Sequence, residues 1–190
     1  MSFFISVRGG NFAVMASDGR VQKVGDNRIE GENYPKVFQL NEKVCLGITG
    51  DPFPIYYAMN ELQTYDLSKM TMERIKRILI NSLKEVPINW TGVKFVLSGS
   101  NKSGKFMTYL VDSKLDFAEE MQEATGTGFH VVHAGSDAEG VSELVNKYVH
   151  ETAPWENLGE LQEHMKECVK AVAKIDETVN DKVYDVMVIG

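Results

Sequence analysis

The sequence is poor in cysteine and proline and contains no long apolar run. Its 190 residues include two Cys and five Pro, which excludes a disulfide scaffold and a proline-rich disordered chain. No stretch approaches the roughly 18 to 20 apolar residues that a membrane span requires, and the first residues, MSFFISVRGG, lack the features of a secretory signal. We therefore expect no membrane partner, a cytoplasmic location, and reduced, buried thiols at Cys45 and Cys168.

Positive charge is also scarce. The chain has 20 Lys and Arg against 27 Asp and Glu, for a net charge of -7. Nucleic acids are bound mainly through clustered basic side chains, so this balance disfavours a nucleic-acid partner. The apolar fraction of 43% is ordinary for a globular protein. Because no repeat or linker divides the chain, we expect a single domain over 1–190.

The order of predicted elements favours an α+β fold. Apolar and β-branched segments predict strands at 2–7, 12–17, 35–40, 43–49, 93–97, 105–111, 129–134 and 184–189. Apolar residues at helical spacing predict a helix pair between Pro54 and Pro87, and a second pair before the last strand. Runs of strands separated by helix pairs indicate two antiparallel sheets packed between helices, rather than alternating βαβ units.

Two motif-like patterns do not predict a ligand. The segment GSNKSGKF at 99–106 nearly fits the phosphate-binding pattern G-x-x-x-x-G-K-[ST], but Phe106 replaces the hydroxyl and a strand follows, so we predict a hairpin turn. His130 and His133 lie three apart on a predicted strand and point to opposite faces. The sequence therefore predicts neither a metal site nor a cofactor.

Two charged residues share strand faces with apolar residues. Alternation places Asp18 on the face of Ala16 and Lys36 on the face of Phe38. Burying a charge is costly unless it is paired, so one interpretation puts the two side chains together inside the fold, where burial would tune the lysine. The pattern equally fits a surface carboxylate and a snorkelling lysine at strand ends.

Ser136 has a simple structural interpretation. Together with Glu139 it fits a capping box that opens a helix over 138–150. This interpretation explains the serine without any chemistry.

Four segments resemble the β-type subunits of the proteasome and their bacterial relatives among the N-terminal nucleophile hydrolases. They are FAVMASDGRV (12–21), YPKVFQL (34–40), VCLGITGD (44–51) and HAGSDAEG (133–140). The predicted element order also matches the four-layer αββα sandwich of that family. The resemblance therefore covers essentially the whole chain.

The resemblance implies a catalytic set. It puts the nucleophile at Ser2, where threonine is usual, and removal of Met1 would expose both its hydroxyl and a free α-amine. The family's aspartate, lysine, oxyanion glycine and assisting serine fall on Asp18, Lys36, Gly50 and Ser136.

Two further parts of the site also follow from the resemblance. The family usually has an acidic residue and a serine before the last strand. Here we take the acidic residue as Asp176, with Glu177 as the alternative, and find no clear serine partner. Beside the specificity pocket the resemblance places three residues that suggest an apolar substrate side chain: Val21, Ile48 and Pro52.

The implied chemistry is physically coherent. A serine hydroxyl needs a base, and an α-amino group has an ordinary pKa of about 7.7 to 8.0, close to neutrality. Lys36, held by Asp18, would favour the deprotonated hydroxyl, and the Gly50 N–H would stabilise the oxyanion. A retained Met1 would instead convert the Ser2 amine into an amide with no basicity.

The resemblance implies a peptidase that acts on peptides or unfolded proteins within a homo-oligomeric ring, and it leaves an ATP-dependent unfolding partner open. Two other functions stay open at this point. One is a structural or regulatory ring subunit without turnover, and the other is an amidase for a small molecule on the same fold.

Overall fold

The structure is a computed structural model that describes residues 3–22, 29–86, 90–123 and 128–190. In chain order the strands are β1 (Phe4–Arg8), β2 (Phe12–Ser17), β3 (Val21–Gln22), β4 (Ile29–Gly31), β5 (Val37–Asn41), β6 (Val44–Gly50), β7 (Val93–Ser100), β8 (Phe106–Asp112), β9 (Ala118–Glu123), β10 (His130–Ala134) and β11 (Tyr184–Ile189). The helices are α1 (Pro52–Gln63), α2 (Met72–Lys84), α3 (Val141–Val145) and α4 (Leu158–Val172), and a π-helical turn, Asn146–His150, continues α3.

Two antiparallel sheets form the centre of the fold. One has the spatial order β10-β1-β2-β11 and the other β5-β6-β7-β8-β9. Helices α1 and α2 share a core with the second sheet, α3 and α4 share a core with the first, and a third core lies between the sheets. The predicted α+β class and four-layer αββα order are confirmed.

Strand alternation explains the three cores. On β1, Ile5 and Val7 belong to the core beneath α3 and α4, whereas Phe4 belongs to the core between the sheets. On β6, Leu46 faces α1 and α2, and Cys45 faces the other sheet. Successive side chains of a strand point to opposite faces, so one strand supplies two layers.

The first helix begins two residues earlier than the sequence predicts. The Asp51 carboxylate accepts a hydrogen bond from the Phe53 N–H at 3.1 Å, and Pro52 occupies the first turn. A proline there sacrifices no helical hydrogen bond. The second helix is capped by Thr71, and its predicted stop, Pro87, lies outside the described residues.

The capping box predicted at Ser136 and Glu139 is wrong. Helix α3 has Gly140 as its N-cap, with a φ of +90° and no side-chain cap. The Ser136 hydroxyl donates instead to Asp176, far along the chain. The Ser136 oxygen also accepts a hydrogen bond from the Ala138 N–H at 3.3 Å. Because α3 begins only at Val141, this bond closes a local turn ahead of the helix and does not cap it.

Several smaller predictions have clear outcomes. The turn between β7 and β8 is a hairpin, in which the Asn101 side chain accepts hydrogen bonds from the backbone of Ser103 and Lys105. Cys45 and Cys168 are both free and buried, and burial raises the pKa of each thiol to about 12. Within the described ranges, each helix falls short of the length and apolarity needed to cross a bilayer.

Candidate functional site

A buried ion pair lies where β2 leads out of one sheet and the chain enters the other. Lys36 Nζ is 2.6 Å from Asp18 Oδ1. Asp18 is fully buried and Lys36 is 7% exposed, so the interpretation that pairs them inside the fold is confirmed, and the surface alternative is wrong.

Asp18 also holds the backbone around it. Its Oδ1 accepts a hydrogen bond from the Phe3 N–H at 2.8 Å, and its Oδ2 accepts one from the Arg20 N–H at 2.8 Å. Phe3 is the first described residue, and its N–H donates to the same carboxylate oxygen as the Lys36 ammonium. The expected nucleophile, Ser2, lies outside the described residues.

Burial shapes the acidity of the lysine. It lowers the pKa of Lys36, the charge and hydrogen bond of Asp18 oppose that shift, and the nearby positive charge of Arg20 adds to it. The net direction is downward, so Lys36 gives up its proton more readily than a free lysine.

Sequence reasoning missed Asn180, which fixes the Asp18 loop. Its Oδ1 accepts a hydrogen bond from the Gly19 N–H at 2.8 Å, its Nδ2 donates to the Glu32 carbonyl at 3.0 Å, and its own N–H approaches Asp18 Oδ2 at 3.4 Å. Asparagine just before a strand is typical of a turn, so the sequence held no signal for this role.

Ser136 and Asp176 form a second polar cluster. The Ser136 hydroxyl donates to Asp176 Oδ2, while the Thr178 hydroxyl and N–H donate to Oδ1 at 2.6 and 2.8 Å. Asp176, rather than Glu177, is therefore the acid in contact with Ser136. Thr178 contributes a second hydroxyl to this carboxylate, in the region where the resemblance led us to look for a serine.

Hydrogen bonding lowers the pKa of Asp176. Burial of the carboxyl acts to raise its pKa, but the hydrogen bonds from Ser136 and Thr178 outweigh burial and hold the pKa below its ordinary value. The turn at 176–180 thus contacts Ser136 at one end and, through Asn180, the Asp18 loop at the other.

Gly50 ends β6 in a conformation that requires glycine. Its φ is +125°, and an added Cβ would lie 2.2 Å from the Gly92 carbonyl oxygen. The same carbonyl accepts a hydrogen bond from the Asp51 N–H at 2.9 Å. This close approach fixes the end of β6 against the 90–93 segment.

A cavity of about 630 Å³ opens beside these residues. Lys36 and Gly50 line it, and the three residues expected at the specificity pocket line it too: Val21, Ile48 and Pro52. The side chains of Tyr34 and Tyr56 also contribute, with ring centroids 6.0 Å apart in an edge-to-face contact. The volume falls within the range of ordinary small-ligand sites.

The described residues offer no cluster of three or more His, Cys, Asp or Glu side chains placed to hold a metal ion. On β10, His130 lies opposite Arg8 and His133 lies opposite Ile5 in the ladder with β1.

Solved structures of other proteins share the architecture of this chain. No protein-family model and no curated protein matches the sequence, but solved structures match over almost the whole chain. The Anbu complex of Pseudomonas aeruginosa, a helical assembly, has a TM-score of 0.72 at 12% identity, covering 98% of this chain and 81% of that one. Anbu of Yersinia bercovieri, described as an ancestral beta-subunit, has a TM-score of 0.71 at 12% identity, with the same coverage.

A third match lies outside the Anbu group. HslV from Trypanosoma brucei has a TM-score of 0.61 at 13% identity, covering 99% of both chains. The fold is proteasome-like. At such identities the likeness shows the fold alone.

The proteasome-like fold brings most of the expected site residues to one region. Lys36 and Gly50 line one cavity, Asp18 holds the Lys36 ammonium, and Gly135 and Asp137 of that cavity flank Ser136. Ser136 contacts Asp176.

Proposed function

We propose that this chain is a subunit of a proteasome-like hydrolase that cleaves peptide bonds, with Ser2 as the nucleophile after removal of Met1. One observation carries the proposal: the buried Lys36 ammonium and the Phe3 N–H share Asp18 Oδ1. Because a single peptide bond joins Phe3 to Ser2, this contact supports a nucleophile next to a shielded cation. Such a cation stabilises an anionic oxygen.

The proposed reaction proceeds in two steps. The Ser2 hydroxyl oxygen attacks the carbonyl carbon of the substrate, and its proton moves to the α-amino nitrogen of the same residue. The Gly50 N–H holds the resulting oxyanion, and the C–N bond then breaks as the leaving amine takes up that proton. Water hydrolyses the ester that remains on Ser2, which restores the free hydroxyl and releases the acid product.

The supporting residues would act on the nucleophile indirectly. Asp18 keeps Lys36 in place, and the lowered pKa of Lys36 limits how strongly it holds its proton. Ser136, fixed by Asp176, would orient the α-amine. The apolar side chains of Val21, Ile48 and Pro52 support a preference for an apolar substrate side chain in the cavity.

We further propose that the substrates are peptides or unfolded proteins and that the subunits assemble into a homo-oligomeric ring in the cytoplasm. The Anbu structure from Pseudomonas aeruginosa is an assembly. On this chain, Phe53 and Tyr57 lie one turn apart and form an aromatic stripe on α1 that is 40 to 49% exposed. An exposed apolar stripe of this kind is typical of a contact surface. An ATP-dependent unfolding partner is compatible with this arrangement.

The direct test is peptide hydrolysis by protein from which Met1 has been removed. We expect turnover of short fluorogenic peptides, complete loss in Ser2→Ala with assembly unchanged, and normal turnover in Ser142→Ala, an exposed serine on α3. Unchanged turnover in Ser2→Ala would end the proposal. Turnover of small amides without peptides would favour the amidase, and no turnover of either would favour a structural subunit.

A further inference from the structure

The cavity of about 630 Å³ has a charged part that the proposed chemistry does not use. This charged part consists of Lys94 on β7, Asp112 at the end of β8, and Lys114 in the 3-10 turn that follows β8. It lies next to the proposed oxyanion site, because Gly50 pairs with Val93 in the ladder between β6 and β7. A substrate held at Gly50 therefore has these charges beside it.

The backbone at Lys114 is anchored to the sheet. The Asp112 carboxylate accepts a hydrogen bond from the Lys114 N–H at 2.9 Å. The Ser113 hydroxyl accepts one from the Val93 N–H at 2.8 Å. An aspartate that bonds the backbone two residues on is typical of a fixed turn. The position of Lys114 thus follows from the ends of β7 and β8.

The apolar stem of Lys114 lies across Gly92. A Cβ added to Gly92 would be 2.6 Å from Lys114 Cε and 2.9 Å from its Cγ. Only a residue without a side chain leaves this space to the lysine stem. The Gly92 carbonyl oxygen in turn closely approaches Gly50. A short line of contacts therefore connects the oxyanion glycine with the stem of Lys114.

The ammonium of Lys114 has no counter-charge within the described ranges. The other three cations of the cavity lining each pair with a carboxylate: Arg20 with Glu32, Lys36 with Asp18, and Lys94 with Asp112. The remaining lining carboxylate, Asp137, comes from the loop after β10, beside Ser136. The charged part thus carries one positive charge in excess, on a chain whose net charge is -7.

We propose that Lys114 is a specificity-determining residue that binds an acidic side chain of the peptide substrate. This inference rests on the proposed function, and it names the substrates as peptides that carry Asp or Glu near the apolar residue that fills the cavity. An extended peptide advances about 3.3 Å per residue, so a residue close to the one at Ile48 and Pro52 comes within reach of a long lysine side chain.

The test measures peptide binding by the full chain carrying Ser2→Ala, so that it does not depend on turnover. Fluorescent peptides share one Leu and differ at a single other position, which holds Glu, Gln or Lys and is moved along either side of the Leu. We expect Glu to bind roughly two- to fivefold more tightly than Gln in at least one position, and Lys more weakly, because an exposed ion pair gives a modest gain. The difference should shrink between about 20 and 500 mM sodium chloride, because salt screens exposed charges.

Two variants and a control decide whether Lys114 is responsible. Lys114→Met keeps most of the stem and removes the charge, so Glu and Gln peptides should bind equally, and Lys114→Glu should reverse the order. Both should fold, because the residue is exposed. Lys102→Met, at an exposed lysine outside the cavity lining, should keep the preference for Glu. A preference that survives Lys114→Met, or equal binding of Glu and Gln peptides by the chain with Lys114 intact, would overturn the proposal.

Turnover by protein that lacks Met1 separates this proposal from the proposed function. Hydrolysis of neutral peptides without any preference for Glu would overturn the role of Lys114 and leave the hydrolase standing. A preference for Glu in binding that depends on Lys114, without hydrolysis of any peptide, would support the role of Lys114 in binding and contradict the hydrolase. Absence of peptide binding altogether would contradict both.

Discussion

At the scale of single residues, the Lys36–Asp18 pair links the stability of the fold to the proposed chemistry. Lys36→Met would leave a fully buried carboxylate without its cation. We expect a loss of about 3 to 5 kcal/mol in the free energy of unfolding, and a smaller loss in the double variant with Asp18→Asn, which strands no charge. Urea unfolding of the three proteins measures both. Strictly additive losses would contradict a coupled buried pair.

Gly50 offers a second residue-scale prediction. In Gly50→Ala the new Cβ would meet the Gly92 carbonyl, whereas Gly104, at φ +79°, has nothing within 4 Å of an added Cβ. Both variants are strained by the positive φ, but we expect Gly50→Ala to lose clearly more stability and to lose peptidase activity. Equal unfolding midpoints for the two variants would show that the close approach of Gly50 to the Gly92 carbonyl does not affect the free energy of unfolding.

The lowered pKa of Asp176 makes part of the free energy of unfolding sensitive to acid. Its pKa is lower in the folded protein than in the unfolded chain, so its contribution is present above the ordinary carboxyl pKa of about 3.9 and is lost as pH falls through the lower folded value. We expect Asp176→Asn to flatten the decline of the urea midpoint below about pH 4. The exposed Asp137→Asn serves as the control, and an unchanged slope in Asp176→Asn would refute the assignment.

Strand alternation drew attention to Asp18 and Lys36, but it fitted a surface position equally well, and their burial and contact were visible only in the structure. The partners that fix them were not predictable. Asn180 and Thr178 both look like turn residues. Asn180 acquires its role from a contact with a segment more than 100 residues away. Thr178 acquires its role from the way the turn itself folds back onto Asp176. Ser136 misled the local interpretation because α3 begins later in the chain, with Gly140 as its N-cap, and the Ser136 hydroxyl donates to a distant carboxylate.

At the scale of elements, α2 shows how an amphipathic pattern becomes core. Ile75, Leu79 and Leu83 recur at helical spacing and are buried against the second sheet. We expect Leu79→Ala to lower the free energy of unfolding by about 2 to 5 kcal/mol. Leu115→Ala, at a position that is 66% exposed, should have little effect. Similar losses in both variants would contradict the assigned packing of α2.

The elements that the sequence did not predict are the polar or very short ones. β9 has the sequence AEEMQE and pairs only with β8 at the sheet edge, so it needs no apolar alternation. The ribbon of β3 and β4 is too short to leave a periodic signal. Strands with a buried face, such as β2 and β11, were predicted with the bounds that the structure has.

At the scale of the whole molecule, the exposed aromatic residues of α1 predict an assembly. The aromatic stripe on α1 would be covered by another copy, so we expect native mass spectrometry to show a homo-oligomer. The double variant Phe53→Ser, Tyr57→Ser should weaken it while leaving the fold intact, because both side chains are exposed. The matched change Met121→Ser, on exposed β9, should leave assembly unaltered. A monomeric wild-type protein at micromolar concentration would contradict the assembly.

The most direct test of the central claim is the intact mass of the native protein before and after treatment with an electrophile that reacts with N-terminal nucleophiles. We expect a chain that lacks Met1 and gains one inhibitor mass, mapped by peptide sequencing to Ser2, with no gain in Lys36→Met. A native chain that keeps Met1 and takes up no inhibitor would contradict it.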